Sequence, residues 1–206
     1  PLDQQAERFR SAIAGADLMV SGDRPLPPNL ADEARRRGLV TSPAIRFNSM
    51  VQTTSTTSNA VLTDVKAVAD GYPLRGTIVL ADPARVEGTV AKGIPGRGEA
   101  WPDVRLADRL GVKIGDRITV GEATLTVGAI VQQEPEVAGI VFALGPKLLV
   151  NIDDVPATNL LQPGNRATWR LMVAADDARA LDAYRTWLGT ALTAGQRMES
   201  VRDLRP

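Results

Sequence analysis

Apolar positions follow two textures along the chain, one of helix-length amphipathic runs and one of short apolar stretches cut by Gly and Pro. Leu2, Ala6, Phe9 and Ile13 recur at helical spacing among polar residues from about Asp3 to Ile13, and Gly15 closes the run, which predicts an amphipathic leading helix. Ala16 to Val20 reads as a strand. After the turn Gly22-Asp23-Arg24-Pro25 and the stop at Pro27-Pro28, Asn29 to Gly38 predicts a helix with Asn29 as its cap and Gly38 as its terminator. A return strand starts at Leu39 and carries Ile45, Phe47 and Val51 with polar residues between them. Thr53 to Asn59, rich in Ser and Thr, suits a hairpin tip, and Ala60 to Ala69 is its antiparallel partner.

Beyond Tyr72-Pro73-Leu74-Arg75-Gly76 the texture changes. Thr77 to Leu80, Thr124 to Val131, Ile140 to Ala143 and Leu148 to Ile152 are short apolar runs between Gly and Pro, as in a sandwich-like or barrel-like block. Near Pro163-Gly164-Asn165 the mixed pattern returns, with Ala167 to Val173 as a strand, Asp176 to Leu192 as a helix and Arg197 to Val201 as a last strand. Strand-helix-strand therefore occurs at both ends. This predicts an α+β fold: a split α/β subdomain from residues 1–75 plus 145–206, with a smaller β-rich subdomain, residues 76–144, inserted in it.

Composition narrows the chemistry more than the fold. With 206 residues, 44% hydrophobic and 23% charged, the chain can bury a substantial core. Lys plus Arg and Asp plus Glu each number 24, so no net field gathers nucleic acid or anionic lipid over the whole chain, and no nucleic-acid partner is expected. Absence of Cys removes disulfides, thiolate zinc sites and cysteine nucleophiles. Absence of His removes the usual neutral-pH base, the usual transition-metal ligand and the centre of a Ser-His-Asp triad. Only carboxylate, lysine or hard-cation chemistry remains, and no catalytic residue, cofactor or metal is expected. The chain opens at Pro1 with no initiator Met or leader pattern, which predicts a piece of a longer protein, and its longest apolar stretch, Ala138 to Val150, is interrupted by Gly139, Gly145, Pro146 and Lys147.

Several patterns invite a functional reading, and each has a structural one beside it. Ala107-Asp108-Arg109-Leu110-Gly111-Val112-Lys113-Ile114-Gly115-Asp116-Arg117-Ile118 predicts a short helix, a Gly stop, a Gly-Asp turn and an alternating strand. The same pattern occurs in small barrels of DNA-binding regulators, so Leu106 to Val120 carries one alternative function. Gly93-Ile94-Pro95-Gly96-Arg97-Gly98 lacks the Lys-Ser or Lys-Thr and the helix that a phosphate loop needs. Asp153, Asp154, Glu134 and Glu136 are the carboxylates a hydrolase would use, a second alternative; capping and turn duties are simpler, with Asp153 or Asp154 capping the turn before Pro156. Arg35-Arg36-Arg37 complements a helix C-terminus. Phe47 and Met50, at the base of the Gln52 to Asn59 hairpin, and Trp101, in the inserted block, are the candidates for substrate or partner contact, against core packing for Phe47, Met50 and all three tryptophans, Trp101, Trp169 and Trp187.

Taken in order, Ala16-Asp17-Leu18-Met19-Val20, Ser49-Met50-Val51, Val65-Lys66-Ala67-Val68, Tyr72-Pro73-Leu74-Arg75-Gly76, Leu106 to Asp116, Glu134-Pro135-Glu136, Gly145-Pro146-Lys147 and Gln162-Pro163-Gly164-Asn165-Arg166 resemble the large periplasmic loop of MacB/FtsX-type ABC transporter permeases, within a YbbP-like subgroup. The resemblance covers most of the chain. It implies a porter-like α/β subdomain plus a smaller β-rich one, placed between the first and second transmembrane helices on the periplasmic side of the inner membrane. It also implies a permease homodimer, a separate cytoplasmic ABC ATPase whose cycle moves the periplasmic domains, a hydrophobic or lipid-like small molecule as substrate, and a periplasmic lipase or thioesterase as a further partner.

Overall fold

The computed structural model describes residues 2–7, 15–55, 59–135 and 145–200, of which residues 2–7 are helical. β1 (Leu18–Gly22), α1 (Pro28–Arg36), β2 (Val40–Thr53) and β3 (Val61–Val68) come in the expected order. α1 has no side-chain cap. Its start is set by Pro28 in the first turn, where a missing N–H leaves no helical bond unmade, so Asn29 lies inside the helix instead of capping it. β4 (Val79–Asp82), β5 (Arg85–Val90), β6 (Glu99–Pro102), α2 (Val104–Leu110), β7 (Arg117–Val120), β8 (Ala123–Val127), β9 (Val131–Gln133) and β10 (Lys147–Asn151) follow. A 3-10 turn at Ile152–Asp154 and α3 (Val155–Thr158) lead to β11 (Ala167–Ala174), α4 (Ala178–Ala191) and β12 (Gln196–Ser200).

The sheet makes unequal use of these strands. A nine-stranded sheet runs β12-β1-β11-β2-β3-β10-β6-β8-β7, and β7 also pairs with β2, so the strands from β2 to β7 close into a barrel. β2 is long enough to serve two partners on one edge. Val40 to Phe47 pair with β11, and Val51 to Thr53 pair with β7. β5-β4-β9 form a separate three-stranded sheet. β6, β7 and β8 lie in residues 76–144 yet bond into the large sheet beside β10, so the expected boundaries at 75/76 and 144/145 do not follow the hydrogen bonding. The apolar run Thr124 to Val131 falls into two strands, β8 ending at Val127 and β9 starting at Val131, and at Gly128 between them Glu99 and the Trp101 indole occupy the space a side chain would need. The strand expected at Ile140 to Ala143 lies outside the described residues.

Three apolar clusters result. Phe47, Val51, Val65, Ala67, Ile118, Leu125, Leu148 and Val150 fill the barrel. α2 covers one end of it, capped by the Asp103 carboxylate, which accepts from the Leu106 N–H at 2.8 Å, and stopped by Gly111 at φ 68°. Leu18, Val20, Leu30, Ala34, Leu171, Val173, Tyr184 and Leu188 join α1 and α4 to one face of the open part of the sheet. On the opposite face, Met19, Ala44, Val68, Met172 and Leu149 meet Ile78 and Val131 of the small-sheet region.

Candidate functional site

Alternation along β2 and β3 decides which side chains can do chemistry. Odd-numbered Phe47, Val51, Val65 and Ala67 enter the barrel, so the even-numbered neighbours Arg46, Asp64 and Lys66 take the other face. Register aligns Arg46 with Lys66 and with Thr168 of β11, while Arg170 lies one pair further along, opposite Ala44. An ionic belt thus crosses the middle of the sheet. Arg46 pairs with the Asp64 carboxylate through Nη2.

Lys66 is the most deeply buried of these charges. Its Nζ donates to Tyr72 Oη at 2.7 Å, Tyr72 Oη donates to Glu134 Oε2 at 2.9 Å, and the Lys66 amine lies 3.9 Å from the same carboxylate oxygen. Burial draws the Lys66 amine down to about 8 from 10.5, against the pull of Glu134, with Arg170, Arg46 and Lys147 adding to the descent. Burial, with the Glu134 charge beside it, holds the Tyr72 phenol well above 10.0. The chain Lys66-Tyr72-Glu134 ties the large sheet to the segment after β9. Arg75 fastens the same region from the other side: Nη2 donates to Asp17 Oδ2 at 3.0 Å and to the Ala175 carbonyl at 3.0 Å.

Three cavities among the described residues adjoin this belt. One of about 200 Å³ is walled by Trp101, Arg105, Val131, Glu134, Lys147 and Leu149. A second, about 570 Å³, opens where β2 leaves β11 and has not yet reached β7, and Phe47, Met50, Leu160 and Leu161 line it. A third, about 860 Å³, is bordered by Arg46, Asp64, Arg166, Arg170 and Arg197.

The sequence candidates distribute over this surface unevenly. Phe47 is 6% exposed and belongs to the barrel core while lining the second cavity; Met50, on the opposite face of the strand, is 52% exposed beside the equally bare Leu62 across the hairpin. Trp101 is buried against Leu149 and Val131 and lines the first cavity, apart from the other two candidates. Trp187 stacks on Tyr184 with ring centres 5.8 Å apart. The hairpin is not a free ribbon at its base, since Gln52 and Thr53 pair with β7. The acidic candidates do not converge. Asp153 is held by Arg97 at 2.9 Å, Asp154 accepts from the Gly98 N–H at 2.7 Å, Glu134 is tied to Tyr72, and Glu136 lies outside the described residues. Asn151, not either aspartate, caps the turn before Pro156, because its side chain accepts from the Asp153 N–H at 2.9 Å. Arg35 pairs with Asp32, and Arg36 and Arg37 with Glu33, which spends the arginine run on its own helix. Gly93 to Gly98 is a loop between β5 and β6, docked through Pro95 onto Asn151.

Lys66, Tyr72 and Arg170 were not visible as a group in the sequence. One signal existed: a lysine inside the apolar strand Val65-Lys66-Ala67-Val68 must either be exposed or find a partner.

No family model matches the chain. It is 34% identical over 196 residues, 95% of its length, to YbbP of Escherichia coli K12, an uncharacterized ABC transporter permease, and it spans 22% of the length of that relative. Its structure is similar to the periplasmic region of MacB from Actinobacillus actinomycetemcomitans, with a TM-score of 0.59 and 9% identity over 93% of this chain and 92% of that one. The extracellular domain of the noncanonic ABC-type transporter YknZ from Gram-positive bacteria gives the same TM-score at 8% identity, over 89% of this chain and all of that one. At such identities the two structures establish the α+β fold they share with this chain.

Proposed function

We propose that the chain belongs with the extracytoplasmic domains of MacB/FtsX-type ABC permeases, YbbP-like in sequence, and that it is the moving periplasmic part of a permease driven by ATP hydrolysis elsewhere. It stands on the periplasmic side of a bacterial inner membrane. Two permease copies act together with a cytoplasmic ATPase, and the domain transmits their motion to a hydrophobic or lipid-like substrate, with a periplasmic lipase or thioesterase receiving or supplying it. It performs no chemistry itself.

The observation that carries this reading is the similarity to a permease along 95% of the chain, joined to a periplasmic-domain fold. The dispersal of Asp153, Asp154 and Glu134 onto separate structural partners supports a mechanical role over a hydrolytic one. Met50 and Phe47 on the second cavity, and Trp101 on the first, are the contacts proposed for substrate or partner. No helix among the described residues is long and apolar enough to cross a membrane.

The test uses the intact permease and its ATPase in nanodiscs, with a nitroxide label at exposed position 62 of each copy. ATP with vanadate should change the distance between labels. An unchanged distribution in a complex that hydrolyses ATP would remove the mechanical reading.

A further inference from the structure

The cavity of about 860 Å³ is lined by more arginines than either of the other two described. Four arginines, Arg46, Arg166, Arg170 and Arg197, border it against two aspartates, Asp23 and Asp64, in a chain whose formal charge is zero. Two of the cations are already answered: Arg46 by Asp64, and Arg197 by Glu199 at 3.4 Å. The other two are not. Arg166 is exposed at the mouth and forms no ion pair among the described residues. Arg170 is mostly buried, and its Nε has no hydrogen-bond partner.

An unpaired buried guanidinium N–H is costly, and a planar donor fork is satisfied best by an oxyanion. Burial, with Arg46 adding its repulsion, draws the Arg170 guanidinium down to about 10 from 12.5, against Glu199 and Asp64. An arriving negative charge would relieve that strain on the cation. The neighbouring groove supplies the complement, because Phe47, Asn48, Asn165 and Arg166 wall both cavities, and Met50, Leu160 and Leu161 line the far side of the smaller one. A basic end and an apolar end therefore share one wall.

We propose that the arginine-lined cleft binds a phosphate-class anion through Arg166 and Arg170, and that the anion arrives as the headgroup of an amphiphile whose tail lies along Met50, Leu160 and Leu161. The anion site stands on the arginines alone; the tail rests on the lipid-like reading above. Thr168, beside Arg46 on the same face, and Asn48 and Asn165 offer further donors at the rim.

Calorimetric titration of the chain at fixed low salt with three probes separates the two parts. Dodecyl phosphate below its micellar concentration should bind, inorganic phosphate should bind more weakly, and dodecyl maltoside, with the same tail and no charge, should bind least. Arg166→Gln, on the surface and harmless to folding, and Arg170→Gln should each weaken dodecyl phosphate by roughly tenfold, and raised salt should weaken it further. Arg97→Gln, whose side chain pairs with Asp153 elsewhere, should leave it unchanged. Equal binding of dodecyl phosphate and dodecyl maltoside, or indifference to Arg166→Gln in a folded variant, would overturn the anion site while leaving the lipid-like reading standing. Inorganic phosphate as tight as dodecyl phosphate, and lost in Arg166→Gln, would uphold the anion site and remove the lipid-like reading.

Discussion

The two faces of the β2–β3 hairpin share a backbone and a register but answer to opposite physical demands. Inward, Phe47, Val51, Val65 and Ala67 meet strands of the barrel and exclude water. Outward, Arg46, Asp64 and Lys66 form an ionic belt that fades into bare Met50 and Leu62 toward the tip. The inward face holds the barrel shut through volume, which is non-directional and tolerant of type. The outward face works through pairing, where each charge depends on a named partner. A surface that must touch a ligand or a neighbouring subunit draws mainly on the second kind of face, because closure uses most of the first and leaves only Phe47 at the edge of a cavity.

That contrast can be broken in order of expected size. Phe47→Ala should cost about 3–5 kcal/mol of stability, read from chemical denaturation, since it opens a cavity in the barrel; a loss under 1 kcal/mol would make Phe47 a groove residue rather than a core one. Glu134→Leu should cost about 3 kcal/mol by stranding Lys66 without its counter-charge, and adding Lys66→Met should recover most of it. Failure of the second change to compensate would mean that the belt is held by packing and not by the pair.

A smaller effect comes from pH. Lys66 titrates at about 8 in the fold and at 10.5 as a free side chain, so between those values the unfolded chain binds more protons and stability rises with pH. The rise should reach at most about 1.4 kcal/mol per pH unit from pH 8 to 10. Tyr72 limits it above that range, because its phenol stays protonated in the fold when the unfolded one does not. Lys66→Met should flatten the rise; an unaltered profile in that variant would assign it elsewhere. Smallest of all, Met50→Ala should change stability by less than about 0.5 kcal/mol, although Met50 is only three residues from Phe47.

Much of the fold was legible because local rules governed it. β2 and β3 alternate, α4 is amphipathic, and the run from Ala107 to Ile118 gave α2, its Gly111 stop and β7 in the order predicted. β5 and β6 were not foreseen. Glu99–Pro102 has only four residues and Arg85–Val90 is largely exposed and polar, so neither carries an apolar period of its own. The site was less legible. Phe47 and Met50 lie on opposite faces of β2, one buried and one exposed, yet both reach the second cavity, while Trp101 lines a separate one. Polar residues that do meet, such as Tyr72 and Glu134, are 62 positions apart and carry no local mark of each other.

By itself the sequence determined most of the elements, the two faces of the alternating strands β2 and β3, and the want of histidine and cysteine chemistry, since propensity, period and residue type act over a few neighbouring positions. Only the tertiary structure decided that β2 has two partners on one edge, that residues from both sides of the expected insertion share a barrel, and that Arg46, Arg166, Arg170 and Arg197 surround one cleft. The reason is geometric. A period of two says which side a residue takes, but which strand lies beside it is settled by hydrogen-bond register between segments far apart in the chain.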